Sequence, residues 1–457
     1  MSLPSTTVRV IDAPGRLPGF PQRDTIFIAN LLAMFFGNEE ETRVLSEEVG
    51  EVDSYGGRLI PIIDLLFGEG GNLLVLERVP DPDLCGYFGE VLGLSLPDLE
   101  ILPHRDYLEI NRLSGTVQHP FLDCLSSHGA KWIDGFVTDD TLAALAKLVG
   151  KKTVSTGEGS RHGNNKRMLH EFLVSKGLPV VEAQLAANPR EVRPALEHLK
   201  KCGFSAAVIK SAIGASGIGL AKVDSLDDYG DIENEIPDHF FYEGACIVQG
   251  WLQPGEQGVI RMRSPSIQLF LDDDSVTQYD LTEQILSDAS VHEGNESPPS
   301  YIGAEPELKN ELLRQGGIAG KWLHSRGYRG TASVDFLVAE RTDATEVYVC
   351  EINARVTGAT YPSVLARRFI PDGAWLMRNL RFTEPLTGRQ LLDSLHGSGD
   401  LYIPGQSEIG IIPVNFNFGP DGLVNKGQFL CLAHTTSGSH KLLEIAELDL
   451  PCEPDRD

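Results

Sequence analysis

The sequence predicts an α/β region, then a strand-rich α+β region, then a small β-rich extension. Three observations carry this reading. Up to about residue 155, short apolar runs with strand character alternate with stretches of helical period. From there to about residue 365, apolar strand-like segments dominate. Beyond residue 408, two apolar runs flank the turn Gly419-Pro420-Asp421-Gly422, which is hairpin composition. A chain of 457 residues has room for about three such units.

In chain order, Thr25–Asn30 and Asn72–Leu76 read as strands. Pro82–Leu92 and Thr141–Val149 read as helices, the second through Leu142, Leu145 and Leu148. The stretch Lys151–Asn165 is rich in Gly, Ser and Lys and reads as a linker. A helix follows. Asn164 or Asn165 caps it, Met168, Leu169, Phe172 and Leu173 form its apolar face, and Gly177 with Pro179 stop it. Strands are expected at Ala206–Lys210, Ala245–Gln249, Ala332–Val338 and Glu346–Asn353. Ser287–Pro306 reads as a long loop, a length usually tied to function or motion. A helical piece is expected after Pro371, through Trp375, Leu376 and Leu380. The tail forms a hairpin from Ile409–Phe418 and Gly427–His434.

The composition narrows the function. There are 39 Lys+Arg against 65 Asp+Glu, a net charge of -26. Such a field repels nucleic-acid phosphates, so no nucleic-acid partner is expected. Mean hydropathy is -0.11, and no signal peptide or membrane segment is visible. No membrane partner and a cytoplasmic location follow as expectations. The seven cysteines are scattered, with no C-x-x-C, and read as reduced core thiols.

Four local patterns carry chemistry. First, the strand ending in Lys210 runs into Ser211-Ala-Ile-Gly214-Ala-Ser216-Gly217-Ile-Gly219. Glycines there let backbone N–H groups approach an anion, and Lys210 adds positive charge. No G-K-S/T follows, so it is not a Walker A loop. Alone it reads equally well as a Gly-rich hairpin. Second, an apolar strand ends at Gln249-Gly250-Trp251-Leu252, and a Gly/Pro turn brings Glu256 back. A strand edge offers C=O and N–H groups to a planar base, and the carboxylate can accept from ribose hydroxyls. Alone, a strand simply leaving the core explains it better.

Third, Asp335 and Glu351-Ile-Asn353-Ala-Arg355 lie on neighbouring strands. A hairpin turning near residue 343 sets Asp335 opposite Glu351. Strict alternation puts Val347, Val349, Glu351 and Asn353 on one face. Two facing carboxylates repel unless something sits between them. Converging hard oxygens suit Mg²⁺, which keeps waters and phosphates in its shell. Fourth, Lys166 opens the helix after the linker; alone it is a solvated lysine.

In this order and spacing, the four blocks resemble the ATP-grasp superfamily of carboxylate–amine ligases. The likeness covers about Lys166 to Thr360. It implies an ATP-grasp fold with a pre-ATP-grasp N-terminal α/β domain over 1–155. The ATP-grasp domain would span 156–367, with halves at about 164–247 and 248–367, and a C-terminal domain 368–457. It implies that Lys166 and Lys210 contact phosphates and that Ser211, Gly214, Ser216, Gly217 and Gly219 form a flexible loop over them. Gln249, Gly250, Trp251 and Leu252 would hold adenine and Glu256 the ribose. Asp335, Glu351 and Asn353 would hold two Mg²⁺, and Arg355 would act with Lys210 in catalysis. Two departures stand out: the hinge opens with Gln249 where Glu is frequent, and Ser333 stands where related D-alanine ligases carry arginine.

What the resemblance implies is amide formation through an acyl phosphate, releasing ADP and phosphate. It points to the peptide-ligase branch, which joins an amino acid, guanidino-bearing and nonproteinogenic in one instance, to the amino end of a peptide. The partners are then an amino-acid carboxylate donor and a peptide amine acceptor, with a homodimer as a further expectation. Glu283, Gln284, His292 and Asn295 lie where related ligases place substrate residues, and Glu283 suits a cationic group. Each taken singly reads as a solvated residue. Two alternatives use the same nucleotide site: a phosphotransferase acting on a hydroxyl, and a non-catalytic ATP-binding module. Gly157-x-Gly159-x-x-x-Gly163 is one residue off a dinucleotide fingerprint and carries little weight.

Overall fold

The computed structural model describes residues 6–11, 18–49, 55–110, 120–215, 217–286 and 292–453. Among these residues the chain builds three sheets. The first is five-stranded and parallel, in the order Asp98–Ile101, Leu73–Leu76, Thr25–Ile28, Trp132–Gly135, Lys152–Thr153. Its three central strands are largely buried on both faces, as in a parallel sheet covered by helices.

The second sheet is four-stranded and antiparallel: Ala183–Ala186, Cys246–Gly250, Ala207–Ala215, Ile218–Val223. The helix Pro189–Lys201 closes one face of it with Val192, Leu196 and Leu199. The third sheet has ten strands and forms the body of the molecule. It holds the hairpin Gly330–Arg341 and Thr345–Asn353, paired Asp335 to Glu351 as the spacing predicts. It also takes in Thr7–Val10, parallel to Ser275–Gln278, and the C-terminal strands Gly410–Phe418 and Val424–Ala433. Phe416, Phe429 and Leu432 share one core with Ile28 and Leu74 of the parallel sheet and with Phe88 of the helical segment Tyr87–Val91. The Tyr87 hydroxyl donates to the Tyr402 carbonyl across that contact at 2.7 Å.

Several elements differ from the sequence reading. The supposed linker holds the strand Lys152–Thr153 and the helix Gly157–Gly163, capped by Thr156 accepting from the Gly159 N–H. Its glycines are packing positions. A Cβ on Gly159 would stand 2.5 Å from the Tyr328 nitrogen, and one on Gly163 would collide with Leu323 and Ala354. This accounts for the G-x-G-x-x-x-G pattern without a nucleotide. The expected long loop contains the strand His292–Ser297, joined on both sides to Ser275–Leu286 and Ala374–Leu386. Residues 287–291 lie outside the described residues. Backbone pairing on two sides, not apolar side chains, makes this polar segment a strand. The piece after Pro371 is the strand Ala374–Leu386, not a helix. Leu376 and Leu380, four apart, fit a period of two as well as 3.6. All seven cysteines are free; Cys246 and Cys431 are buried, but Cys202 is exposed.

One irregularity positions the site. Asp335 pairs with Glu351 but Phe336 pairs with Val349, so Cys350 is an extra residue on its strand, a β-bulge. The bulge breaks the alternation expected from sequence. Val347 and Val349 pack in the core with Ile267 and Leu323. Leu337, Tyr348 and Cys350 line a cleft that Val349 also reaches and that Lys166, the ion-pair partner of Glu351, lines as well.

Candidate active site

A narrow cleft separates the four-stranded sheet from the ten-stranded one. Its walls carry Leu173, Val181, Ile247, Leu337 and Tyr348, and its polar rim carries Lys166, Lys210 and Gln249. One end is apolar and the other is charged.

At the charged end, Lys166 opens the helix Lys166–Ser175, whose cap Asn165 accepts from the Met168 N–H. Its ammonium lies 2.9 Å from Glu351 Oε2 and donates to the Gly214 carbonyl at 3.0 Å. Asp335 Oδ1 accepts from the hydroxyls of Ser266 at 2.6 Å and Ser333 at 3.1 Å. The Asn353 amide donates to Asp335 at 2.8 Å and to Glu351 at 3.3 Å. Arg355 donates to Asn164 Oδ1 at 2.8 Å. Ser333, where an arginine was noted as missing, is thus a partner of Asp335.

The two carboxylates titrate apart. Burial, reinforced by the facing Glu351 charge, raises Asp335 to about 6 despite the serine hydroxyls and Arg355. Burial pushes Glu351 up as well, but Lys166, with help from Arg355 and Lys210, outweighs it and holds Glu351 at about 2. Two carboxylates and a side-chain amide on paired strands form a hard oxygen set that fits Mg²⁺. The Asn353 amide now turns its nitrogen to both carboxylates, so its oxygen remains for an ion.

At the other end, Lys210 donates to Gln249 Oε1 at 2.8 Å. The strand edge expected over Gln249–Leu252 is partly closed. The Gly250 N–H is bonded to the Glu182 carbonyl and the Trp251 N–H to the Ala206 carbonyl, because their strand is paired on both sides. Any backbone offered to a base therefore begins at the Trp251 carbonyl and Leu252. Glu256 Oε1 accepts from Ser205 and from Gln253, while Oε2 is buried without a partner. The Gly-rich hairpin joins Ala207–Ala215 to Ile218–Val223. Gly217 and Gly219 have φ of 83° and 76°, and a Cβ on Gly219 would strike Ser211 Oγ. Ser216 lies outside the described residues.

The structure also brings in residues that carried no sequence signal. Glu41, from the helix Glu39–Val49, is buried beneath the hairpin with Oε1 unpartnered. Burial raises it to about 7, which Ser211 and Lys166 only partly offset. Asn164 braces both Arg355 and the Ala354 N–H.

The residues expected at the substrate are mostly engaged elsewhere. Glu283 accepts from the Tyr301 hydroxyl and from the Ser264 N–H at 2.8 Å, and burial raises its pKa. Gln284 pairs with Asn295 across adjacent strands, and His292 opens the second of them. A guanidinium would have to displace Tyr301 from Glu283.

The three-sheet arrangement is that of the ATP-grasp fold. No family model matches it. It is 28% identical over 202 residues to the [butirosin acyl-carrier protein]–L-glutamate ligase of Niallia circulans, covering 44% of this chain and 45% of that one. It is 26% identical over 253 residues to the D-alanine–D-alanine ligase of Corynebacterium jeikeium, covering 54% and 62%. The chain thus spans about half the length of the curated relatives it matches. Among solved structures, the biotin carboxylase–βγ-ATP complex of Campylobacter jejuni superposes with a TM-score of 0.59 over 94% of this chain and 92% of that one, at 12% identity. No helix among the described residues is long and apolar enough to cross a membrane.

Proposed function

We propose that the protein is an ATP-dependent carbon–nitrogen ligase. A substrate carboxylate attacks the γ-phosphorus of ATP, giving an acyl phosphate and ADP. An amine then attacks the acyl carbon, phosphate leaves, and an amide remains. The observation that carries this reading is the convergence of Asp335, Glu351 and Asn353 with Lys166 and Arg355 at one end of an apolar cleft whose rim holds Lys210.

Phosphoryl transfer asks the protein for position and charge neutralisation rather than covalent help. Lys166, Lys210 and Arg355 supply three positive charges to the phosphates. Asp335, Glu351 and Asn353 would hold Mg²⁺, two ions in this reading, which neutralises the charge shared by the transferring phosphate. The apolar walls take the adenine, with Gln249, Trp251 and Leu252 at its edge and Glu256 at the ribose. The Gly-rich hairpin covers the phosphates and keeps water from the acyl phosphate.

Both curated relatives are ligases with an amino acid named among their substrates, which supports an amino-acid carboxylate as donor. The motif order further resembles the pheganomycin peptide ligase, which joins a guanidino-bearing phenylglycine acid to a peptide amine. A peptide amine as acceptor is therefore our choice. The test supplies Mg·ATP, candidate amino acids and short peptides, and follows ADP, phosphate and product mass. Phosphate release that needs both acid and amine, with a product one water lighter than the pair, is the expected result. Phosphate transferred to a hydroxyl acceptor would overturn the ligase in favour of a kinase, and ATP binding without turnover across the panel counts against it.

A further inference from the structure

Beside the four-stranded sheet, outside the residues that line the cleft, three side chains of different chemistry meet. Glu182 precedes the strand Ala183–Ala186. His198 and Cys202 lie four residues apart at the end of the helix Pro189–Lys201. Cys202 is still in helical conformation, with its N–H bonded to the His198 carbonyl, so both side chains rise from one face. His198 Nε2 is 2.9 Å from Glu182 Oε1, and Cys202 Sγ is 3.5 Å from His198 Nε2. The three donor atoms all lie within 4.8 Å of one another, and all three residues are exposed.

We infer that Glu182, His198 and Cys202 form a binding site for Zn²⁺ or a cation of like softness. The donor set is one thiolate, one imidazole and one carboxylate, which suits Zn²⁺ and not the Mg²⁺ of the nucleotide site. At tetrahedral Zn²⁺, with bonds of about 2.0–2.3 Å, neighbouring donors stand about 3.4–3.7 Å apart. The sulfur–nitrogen gap already matches. The nitrogen–oxygen gap must open by about half an ångström, a small rotamer change for two exposed side chains. Three protein ligands leave the fourth position to water. Binding replaces the thiol proton of Cys202, which goes to solvent, and the His198–Glu182 hydrogen bond. The site is not part of the proposed ligase chemistry and does not depend on it. It does adjoin the base end of the cleft, since the Glu182 carbonyl accepts from the Gly250 N–H at 3.0 Å. The ion would pin the helix end to the strand that holds the hinge.

The test titrates the full-length, chelator-treated protein with Co²⁺ and then Zn²⁺, in excess Mg²⁺. Uptake of one Co²⁺ with a thiolate-to-cobalt charge-transfer band, displaced by Zn²⁺, is expected. Cys202→Ser should abolish the band. Glu182→Gln and His198→Ala should each weaken Zn²⁺ binding at least tenfold, since even outer-shell partners are worth about 10–100-fold. Melting curves in chelator should match the parent for all three variants, which separates a lost site from a lost fold. A band that survives in Cys202→Ser would arise from Cys350 beside Glu351 and overturn the assignment. So would Zn²⁺ binding unchanged by the three substitutions.

Discussion

The two ends of the cleft are built on opposite plans. At the base end, the neutral Gln249 amide sits among Val181, Leu337 and Tyr348 and accepts from Lys210, which reaches back toward the charged end. At the proposed phosphate end, Lys166 and Arg355 act on a pair of carboxylates whose pKa values are pushed apart. The base end offers shape and a few hydrogen bonds. The phosphate end offers preset charge. Substitutions at the first should therefore change how well ATP is held, and substitutions at the second how fast it reacts.

Glu351→Gln tests the difference most severely. It would remove a ligand of the proposed metal site and leave Lys166 with a neutral partner. ADP release dependent on acid and amine should fall by about 10²–10³-fold in kcat, with a smaller change in KM for ATP. A variant that loses only ATP affinity would break the comparison.

The phosphate end can also be disturbed from behind. Gly163 packs against Ala354, the neighbour of Arg355, with no space for a Cβ. Gly163→Val should cost about 1–3 kcal/mol by overpacking, read as a lower melting temperature, and should lower kcat by moving Arg355. Unchanged kcat in a destabilised protein would show that Arg355 is held by Asn164 alone.

Gln249→Ala addresses the base end. The variant loses one hydrogen bond to a charged group, worth about 1.5 kcal/mol or roughly tenfold. KM for ATP should rise by that factor while kcat holds, measured by initial rates over ATP concentration.

The smallest effect concerns stability alone. Asp134, at the end of the strand Trp132–Gly135, is raised by burial from 3.8 to about 7, with the Gly135 N–H and Arg23 offsetting only part of that. Between those values the folded chain keeps a proton that the unfolded chain has lost. The contribution of this group therefore falls as pH rises from about 4 to 7. Asp134→Asn removes that slope. Its melting temperature relative to the parent should climb by a few degrees between pH 5 and pH 7.5, on the order of 1 kcal/mol. A constant difference would show that Asp134 is ionised in the folded state throughout.

The phosphate end was the more legible in sequence, for a physical reason. A carboxylate inside an apolar strand is costly, so Asp335 among Val334, Phe336 and Leu337 stands out without any structure. The hairpin pairing followed from spacing alone, and of the two caps the sequence offered, Asn164 or Asn165, the structure uses Asn165. The residues that escaped, Glu41 and Asn164, act on partners far along the chain, and no local pattern records such contacts. The misread elements share a cause as well. The helix Gly157–Gly163 forms against glycine's propensity because tight packing favours it. The strand His292–Ser297 is held by neighbours rather than by its own side chains. The hinge was misread because its strand was taken as an edge when it is central.

The bulge at Cys350 sets a reading frame for the whole cleft. Residues before it and residues after it reach the same cavity only because one position is left uncounted. Exchanging Cys350 for serine keeps that count. Deleting it restores strict alternation with Asp335 still opposite Glu351 and removes the local twist of the bulge. Among natural variants of this chain, insertions and deletions in the strand Thr345–Asn353 should be far rarer than replacements at residue 350. When related sequences are aligned, a one-residue gap at position 350 marks a strand without the bulge, whereas a gap elsewhere in the strand shifts its faces.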